Sequence, residues 1–389
     1  TILRRRMAIL PRFCELPAGS CFLFGPRGTG KTTWLRERLP AALHVNLLRA
    51  ELYRELRARP ERLVEMVRGA AVQDVVIDEI QRAPELLEVV HDLLESPSRL
   101  RFVLTGSSAR KLRRGGVDLL AGRAVVRTLH PFMGGELPEF ELGAALATGM
   151  LPLVVAAADA RDTLSSYAAL YLEQEVQAEG LVRNVGAFAR FLEVVSFSHG
   201  SVLNISNVAR ETQASRKTVE GYVEILEDLL LGFRVPVFTR RAQRATVAHP
   251  KFYLFDAGVY RSLRPRGPLD RPGEIEGAAL EGLIAQHLRA WIAYGRSDLE
   301  LSYWRTRSGV EVDFVVYGEA GFWAIEVKNS RVVRSADVRA LQSFAADYPA
   351  CEPMLLYRGA DRLVIGGVRC IPVEEFLSIL RPGIEPTAV

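Results

Sequence analysis

The chain of 389 residues is long enough for two or three domains, and its 49% hydrophobic and 25% charged residues are ordinary for a globular protein. We find no apolar run near the roughly 18 residues that span a membrane, and Pro11, Arg12 and Glu15 interrupt the stretch where a secretory signal would lie. The four cysteines lack metal-ligand spacing, so we expect a reduced, cytoplasmic protein with no membrane partner. The net charge of +4 permits nucleic-acid binding without arguing for it.

The first motif joins an apolar strand, predicted over residues 21–24, to a glycine-rich loop and a helix. The loop fits the phosphate-binding pattern G-x-x-x-x-G-K-[ST] from Gly25 to Thr32. Lys31 is placed to reach the β- and γ-phosphates, and the Thr32 hydroxyl to hold Mg²⁺. A chance glycine-rich turn is the alternative, which the flanking strand and helix disfavour. ATP is therefore predicted to bind at Gly25, Pro26, Arg27, Gly28, Thr29, Gly30, Lys31, Thr32 and Thr33.

Two further apolar runs end in polar residues. In the run over residues 74–79, Asp78 is predicted to hold Mg²⁺ through water, and Glu79 to polarise the attacking water. A solvated helix over residues 79–94 is the alternative. The run from residue 101 ends in Thr105 and Ser107 and resembles the sensor-1 strand of AAA+ ATPases. Ser107 enters the predicted catalytic set, although the sequence does not choose between it and Thr105, and a hydrogen-bonded turn is the alternative.

Arg123 precedes another β-like run and is a candidate arginine finger or sensor arginine, which would stabilise charge on the transferred phosphoryl group. Ring-forming AAA+ enzymes place such an arginine in the neighbouring subunit's site, so we expect a homo-oligomer. A surface arginine is the alternative, because arginine is common in this chain. The ATPase domain is predicted over residues 1–137.

Residues 138–273 are predicted to form a helical region, with helical spacing over residues 164–179 and 186–197. A helix over 205–211, a turn over 212–215 and a helix over 216–231 have helix-turn-helix spacing, and strands over 233–238 and 251–255 can supply a wing. DNA contacts are predicted at the start of the second helix and at the wing tip, at Ser215, Arg216, Lys217, Thr218, Arg240, Arg241 and Arg244. A winged helix used for protein packing is the alternative.

Residues 274–389 are predicted to hold a helix over 275–293 and strands over 299–304, 310–317 and 322–328. Asp313 and Glu326 can meet across the hairpin, with Lys328 on the same face as Glu326. This is the D…E-x-K pattern of PD-(D/E)XK nucleases, with Val312 in place of the proline. We predict catalytic roles for Asp313, Glu326 and Lys328, and Mg²⁺ ligation by Asp313, Glu326 and Glu281. A solvated hairpin of alternating charge is the alternative.

Lysine is scarce in this chain. Of 50 Lys and Arg residues, lysines stand only at positions 31, 111, 217, 251 and 328. A lysine kept in an arginine-rich sequence favours a place where a compact ammonium matters, as at Lys31 and Lys328. The other three are compatible with chance.

Together these motifs resemble a family of bacterial and archaeal AAA+ ATPases that end in a domain of unknown function. The matching pieces lie at residues 25–33, 77–81, 104–108, 121–124, 171–175, 218–222 and 303–328. The resemblance implies an α/β protein in which a P-loop AAA+ three-layer core is followed by a helical winged-helix region and a C-terminal α/β PD-(D/E)XK nuclease-like domain. It gives no substrate.

Two functional classes follow. The first is a Mg²⁺-dependent AAA+ ATPase that acts on DNA in repair, recombination or defence, with a C-terminal domain that cleaves or binds DNA. The second is an ATP-driven switch or protein remodeller whose inactive nuclease-like domain binds a protein partner. DNA stimulation of ATP hydrolysis distinguishes the two.

Overall fold

The computed structural model of the chain describes residues 10–96, 99–108, 120–171, 184–241, 244, 246–247 and 249–388. The chain divides into two compact units. Unit 1 comprises Thr1–His130 with Asp228–Leu230, and unit 2 comprises Pro131–Glu227 with Leu231–Val389. The division lies near the first predicted boundary, at residue 137. Unit 2 contains both later segments, whose separation at residue 273 stays a prediction.

Unit 1 is built on a parallel sheet with the strand order β2-β3-β4-β1-β5. Its strands are β1 (Ser20–Phe24), β2 (Leu43–Asn46), β3 (Asp74–Asp78), β4 (Arg101–Gly106) and β5 (Ala124–Thr128). Its helices are α1 (Lys31–Arg38), α2 (Ala50–Ala58), α3 (Arg62–Ala70) and α4 (Leu86–Glu95), with 3-10 turns at Ile80–Arg82 and Leu120–Gly122. Strands β1, β3 and β4 are almost wholly buried apolar runs, as expected for a parallel sheet covered by helices. This mixed α/β unit with a parallel central sheet fits a P-loop core.

The register of unit 1 brings its polar strand ends together. Phe24 pairs with Gly106 and Ile77 with Leu104, so β1, β3 and β4 end at the same edge of the sheet. Strand side chains such as Phe22 share a core cluster with Leu87 of α4 below this edge. The chain segments that follow the three strands therefore meet on a rigid base.

The first part of unit 2 is helical. A 3-10 turn at Gly134–Glu136 precedes α5 (Leu142–Thr148), α6 (Pro152–Val155), α7 (Ala160–Ser166), a π-helical turn at Tyr167–Tyr171, α8 (Val185–Ser196), α9 (Ile205–Thr212) and α10 (Arg216–Asp228). Residues 172–183 lie outside the described part, and they include the second half of the helix predicted over 164–179 and residues 172–175 of the family resemblance.

Helices α9 and α10 confirm the predicted helical pair. Each has a side-chain cap, because the backbone N–H of Asn207 donates to Asn204 Oδ1 (3.1 Å) and that of Thr218 to Ser215 Oγ (3.1 Å). The predicted small core is buried, at Val208, Val219, Val223 and Leu226. Helix α10 stops at Asp228, short of residue 231, and Leu230 follows in the left-handed region with φ of 60°.

A small antiparallel sheet follows the helical pair. It consists of β6 (Ser201–Val202), β7 (Gly232–Val235) and β8 (Lys251–Leu254) in the order β6-β8-β7. Strand β8 is central, and Lys251 pairs with Val202 on one side and with Val235 on the other. The backbone of Lys251 is therefore held by strand pairing on both sides.

The C-terminal part of unit 2 carries a mixed sheet in the order β13-β14-β12-β11-β10-β9. Its strands are β9 (Glu300–Arg305), β10 (Glu311–Gly318), β11 (Gly321–Lys328), β12 (Glu352–Tyr357), β13 (Leu363–Ile365) and β14 (Val368–Pro372). The helices are α11 (Ala257–Leu263), α12 (Pro272–Gly295), α13 (Arg339–Asp347) and α14 (Val373–Ile379), with a 3-10 turn at Pro386–Ala388. The helix and three strands predicted here are confirmed.

The core under this sheet includes a side chain from well before it. Phe238 is buried in one cluster with Trp304, Val312 and Phe344. Its backbone N–H donates to the carbonyl of Tyr303 (2.7 Å), whose own N–H donates to the carbonyl of Pro236 (2.9 Å).

In the described part of the chain, no helix has the length and apolar character needed to cross a bilayer.

Candidate functional site

The loop between β1 and α1 is shaped by glycines. Gly28 (φ 85°) and Gly30 (φ 83°) adopt the left-handed region that favours glycine. Gly25 leaves no room for a side chain, because a Cβ there would lie 2.5 Å from the carbonyl oxygen of Leu129. The loop thus takes a path that side chains at these positions would obstruct, and it leads directly into the N-terminus of α1 at Lys31.

Lys31 is buried and lies over the loop. Its Nζ donates to the carbonyls of Gly25 (2.7 Å) and Pro26 (3.2 Å). The Thr29 hydroxyl also donates to Pro26 (2.8 Å), and Arg12 Nη1 donates to the carbonyl of Thr29 (3.0 Å). Arg27 and Thr33, also predicted to contact ATP, are exposed. The ammonium therefore stands at the mouth of the loop, where an anion held by the loop would meet it.

Asp78 is the centre of a hydroxyl–carboxylate group at the end of β3. The Thr32 hydroxyl donates to Asp78 Oδ2 (2.7 Å), and the Thr105 hydroxyl donates to Asp78 Oδ1. Thr32 from α1 and Asp78 thus present adjacent oxygen donors, the ligand type that Mg²⁺ prefers. These residues fit a Mg²⁺ ion.

Glu79 leaves β3 in a backbone conformation that is uncommon for glutamate, with φ of 63° and ψ of 48°. The solvated helix considered over residues 79–94 therefore does not begin there, and α4 starts at Leu86. The N–H of Glu79 donates to the Thr105 hydroxyl (3.3 Å), and Gln81 Nε2 donates to Glu79 Oε2 (2.6 Å). Such strained backbone positions are frequent at active sites.

Gln81 connects the two predicted catalytic side chains. Besides Glu79, its Nε2 donates to Ser107 Oγ (3.2 Å). Gly106 makes room for it, because a Cβ there would lie 2.5 Å from Gln81 Oε1. Sequence reasoning assigned no role to Gln81, and its position two residues after Glu79 was the available signal. Thr105 and Ser107 both lie in this network, Thr105 on Asp78 and Ser107 on Gln81.

Arg123 is not brought to this group of residues within the chain. It directly precedes β5, where Ala124 pairs with Ser20 at the start of β1, whereas the glycine-rich loop follows the end of β1. A five-residue strand separates these ends by roughly 13 Å. The Arg123 guanidinium pairs with Glu95. The strand register therefore disfavours a role at the nucleotide of its own chain, and a role in a neighbouring copy stays a prediction.

In unit 2, the hairpin of β10 and β11 brings three predicted site residues together. Phe314 pairs with Ile325, so Asp313 and Glu326 are the next positions along the two strands. Asp313 Oδ2 accepts from the N–H of Val327 (2.9 Å), and Lys328 Nζ donates to Glu326 Oε1 (2.5 Å). Glu326 is 6% exposed, and its Oε2 is buried without a hydrogen-bond partner among the described residues. Burial, followed by the charge of Asp313, raises the pKa of Glu326 to about 8.

Glu281 of α12 joins this group through a lysine. Lys251 Nζ lies 3.0 Å from Glu281 Oε1, 2.5 Å from Glu311 Oε1 and 3.4 Å from Asp313 Oδ1. Tyr253 donates its hydroxyl to Glu281 Oε1 (2.6 Å). We call Glu281, Glu311, Asp313 and Glu326 the acidic cluster.

Lys251 and the carboxylates of the acidic cluster shift one another's pKa values. Burial, followed by Asp313, raises the pKa of Glu281 to about 7, although Lys251 opposes the shift. For Lys251, burial lowers the pKa, but Glu281, Asp313 and Glu311 outweigh it, so the pKa is raised above its ordinary value and the ammonium stays charged.

The acidic cluster does not fit the predicted Mg²⁺ site as it stands. Asp313 and Glu281 direct oxygens at an ammonium, and within the described residues no group of three or more His, Cys, Asp or Glu side chains is arranged to hold a metal ion. Sequence reasoning left Lys251 among the lysines compatible with chance. The scarcity of lysine did not single out Lys251, because its carboxylate partners Glu281 and Asp313 lie 30 and 62 positions away in the chain.

The predicted DNA-contacting arginines are largely paired. Arg216 meets Glu220 (3.0 Å), Arg240 meets Glu300 (2.9 Å) and Arg244 meets Asp347 (2.9 Å). Lys217 and Arg241 are exposed. Anions that approach this surface must compete with carboxylates for three of the five basic side chains.

Three segments of the chain match known protein families. Residues 18–137 match an AAA domain, residues 139–270 a domain of unknown function (DUF8612) and residues 276–376 a domain of unknown function (DUF4143). The first match, together with the geometry at Lys31, Thr32 and Asp78, supports an AAA-type P-loop ATPase domain. Uncharacterized proteins of Mycobacterium bovis and Mycobacterium tuberculosis are each 24% identical over 312 residues, which cover 78% of this chain and 69% of theirs.

Proposed function

We propose that this chain is a Mg²⁺-dependent ATPase that couples ATP hydrolysis to action on DNA. The observation that carries the ATPase proposal is the meeting of Thr32 and Asp78 beside the loop that Lys31 covers. P-loop NTPases use the same four parts to hold a nucleoside triphosphate: a glycine-rich loop, a lysine ammonium, a hydroxyl and a carboxylate. The match of residues 18–137 to an AAA domain supports the same conclusion.

We assign a role to each site residue of unit 1 from its position. The loop N–H groups and Lys31 bind the phosphates, and Lys31 exchanges its carbonyl partners for phosphate oxygens. Thr32 and Asp78 would hold Mg²⁺, which neutralises charge between the β- and γ-phosphates when bound. Glu79 orients and polarises the attacking water, and Gln81 fixes the direction of the Glu79 carboxylate relative to Ser107.

The ATPase proposal is tested by two variants with matched controls. Lys31→Ala should abolish ATP binding or turnover, and Glu79→Gln should keep ATP binding while hydrolysis falls by about 10²-fold or more, as for loss of a general base. Arg68→Ala and Glu88→Gln, at exposed positions, should leave both unchanged. Equal turnover in Glu79→Gln and the parent would remove the role of Glu79.

The DNA part of the proposal rests on unit 2. Helices α9 and α10 with the sheet β6-β8-β7 support the winged-helix interpretation, and the hairpin with Asp313, Glu326 and Lys328 supports the nuclease-like one. Lys217 at the start of α10 and Arg241 are exposed for phosphate contacts. We assign DNA binding, and not DNA cleavage, to the nuclease-like part of unit 2. Lys251 pairs with Glu281 and Asp313, the carboxylates that a metal-dependent nuclease would use to hold its metal ion.

The second candidate function is an ATP-driven switch that binds a protein partner through unit 2. The pairing of Arg216, Arg240 and Arg244 with carboxylates favours it, because these arginines carry little uncompensated charge. ATP hydrolysis measured with single-stranded, duplex and branched DNA decides between the two. Stimulation by any of these supports action on DNA, whereas an unchanged rate together with no DNA binding supports the protein partner.

A further inference from the structure

Lys251 carries a positive charge into the acidic cluster from a different sheet. It lies on β8, the central strand of β6-β8-β7, and only 3% of its side chain is exposed. Strands pair with β8 on both sides and fix the backbone of Lys251, and the buried side chain holds its ammonium against the carboxylates. Its position is therefore a fixed part of the fold.

Each of the three N–H donors of the Lys251 ammonium has a carboxylate of the acidic cluster as a partner. Nζ carries three donors, and three carboxylates from α12 and β10 lie within 3.4 Å of it, at Glu281, Glu311 and Asp313. The ring of Tyr303 lies 5.3 Å from Nζ and adds a favourable contact for a cation. A lysine with a saturated set of acceptors is a counter-ion, with no proton position left for a substrate.

The same oxygens are those that a divalent cation would need. Glu281 Oε1 and Asp313 Oδ1 point at Nζ, and Asp313 Oδ2 accepts from the backbone of Val327. A second cation within a few ångströms of the ammonium would be strongly repelled in this buried setting. The buried Glu326 Oε2, without a partner among the described residues, is the acceptor that stays available.

We propose that Lys251 is the resident cation of the acidic cluster and excludes divalent metal from the carboxylates of Glu281 and Asp313. This inference rests on the nuclease-like part of the proposed function and deepens it. A domain with this built-in charge binds DNA without metal-dependent cleavage. Lys251 lies on β8, outside the hairpin of β10 and β11. The exclusion of metal therefore depends on the packing of these separate parts of unit 2 against each other.

The test measures Mn²⁺ binding to the full, nucleotide-free chain by electron paramagnetic resonance. Lys251→Met keeps most of the length of the side chain and removes its charge, so it should bind Mn²⁺ at least about tenfold more tightly than the parent. Arg161→Met, at an exposed position of the same unit, should bind Mn²⁺ as the parent does. Adding Asp313→Asn to Lys251→Met should abolish the gain, which locates the ion.

Removal of a buried cation beside three carboxylates can prevent folding. In that case the parent and Glu281→Gln decide, because the proposal requires equal Mn²⁺ binding by both. Mn²⁺ binding by the parent that Glu281→Gln or Asp313→Asn removes would overturn the inference, as would no gain in a folded Lys251→Met. DNA binding by the parent in EDTA is measured separately, and its absence would refute the proposed function without touching the exclusion of metal.

Discussion

His287 offers a measurable link between a buried ring and the stability of unit 2. The ring is wholly buried on α12, where Nδ1 donates to the carbonyl of Leu283 (2.8 Å) and Nε2 accepts from the N–H of Gly134 (2.8 Å). Both nitrogens are satisfied only in the neutral form, because a protonated ring has no acceptor. Burial lowers the pKa of His287 from 6.5 to about 4, against a small opposing effect of the Leu283 carbonyl.

The sign follows from proton binding. Between about pH 6.5 and pH 4 the unfolded chain binds a proton at this position that the folded chain refuses, so stability falls as the pH falls through that window. About pH 5 lies 1.5 pH units below the unfolded pKa, and each unit is worth about 1.4 kcal/mol. His287 should therefore cost unit 2 about 2 kcal/mol between about pH 7.5 and pH 5. His199, whose pKa burial lowers to about 3, adds a loss of the same sign.

The variant His287→Gln isolates this contribution. Urea unfolding, followed by tryptophan fluorescence, reports chiefly unit 2, which holds Trp291, Trp304 and Trp323. The variant should lose about 2 kcal/mol less than the parent between the two pH values, whatever its stability at neutral pH. His249→Gln, at an exposed position, should follow the parent. An equal loss in His287→Gln and the parent would refute the reasoning.

Three further predictions concern ATP, DNA and subunit contacts. Gly25→Ala, whose new Cβ would meet the Leu129 carbonyl at 2.5 Å, should weaken ATP binding by about tenfold or more, whereas Gly69→Ala, with open space at its Cβ, should not; isothermal titration measures both. If unit 2 binds DNA through phosphates, affinity should fall steeply with salt, and Arg240→Ala combined with Arg241→Ala should weaken all sequences about equally; salt-independent binding would contradict this. If Arg123 acts in a neighbouring copy, mixing inactive Arg123→Ala with inactive Glu79→Gln should restore part of the ATPase rate in a nucleotide-dependent oligomer, and no recovery would exclude that role.

The arrangement of the residues in the proposed nucleotide site follows from local features of the sequence. Gly25 to Thr32 is one continuous motif, and Asp78 ends a strand whose apolar pattern fixes its direction. Arg123 was harder, because the sequence does not show that β5 runs parallel to β1 with Arg123 at its starting end. Gln81 was missed because its role depends on the left-handed backbone conformation of Glu79, which a glutamate in the sequence does not predict.

The acidic cluster could be predicted only in part. Alternation along β10 and β11 located Asp313, Glu326 and Lys328, and helix α12 was expected to carry Glu281. Lys251 reaches them through the packing of a separate small sheet, which no local pattern encodes. The expected metal site and the observed ammonium share the same acids, so the sequence gives the negative charges and the tertiary structure decides their counter-ion.

Phe238 has a practical consequence for anyone who divides this protein. Its ring fills the interior of the C-terminal sheet, and the carbonyl of Pro236 accepts from Tyr303 of β9. A fragment that starts at residue 274 would lack this ring and leave a cavity, at a cost of about 3–5 kcal/mol for a lost buried phenylalanine. Lys251 would be missing as well, so Glu281 and Asp313 would lose the ammonium that pairs with them. A recombinant fragment that starts at residue 131 keeps both, and is the one we would expect to express as a folded protein.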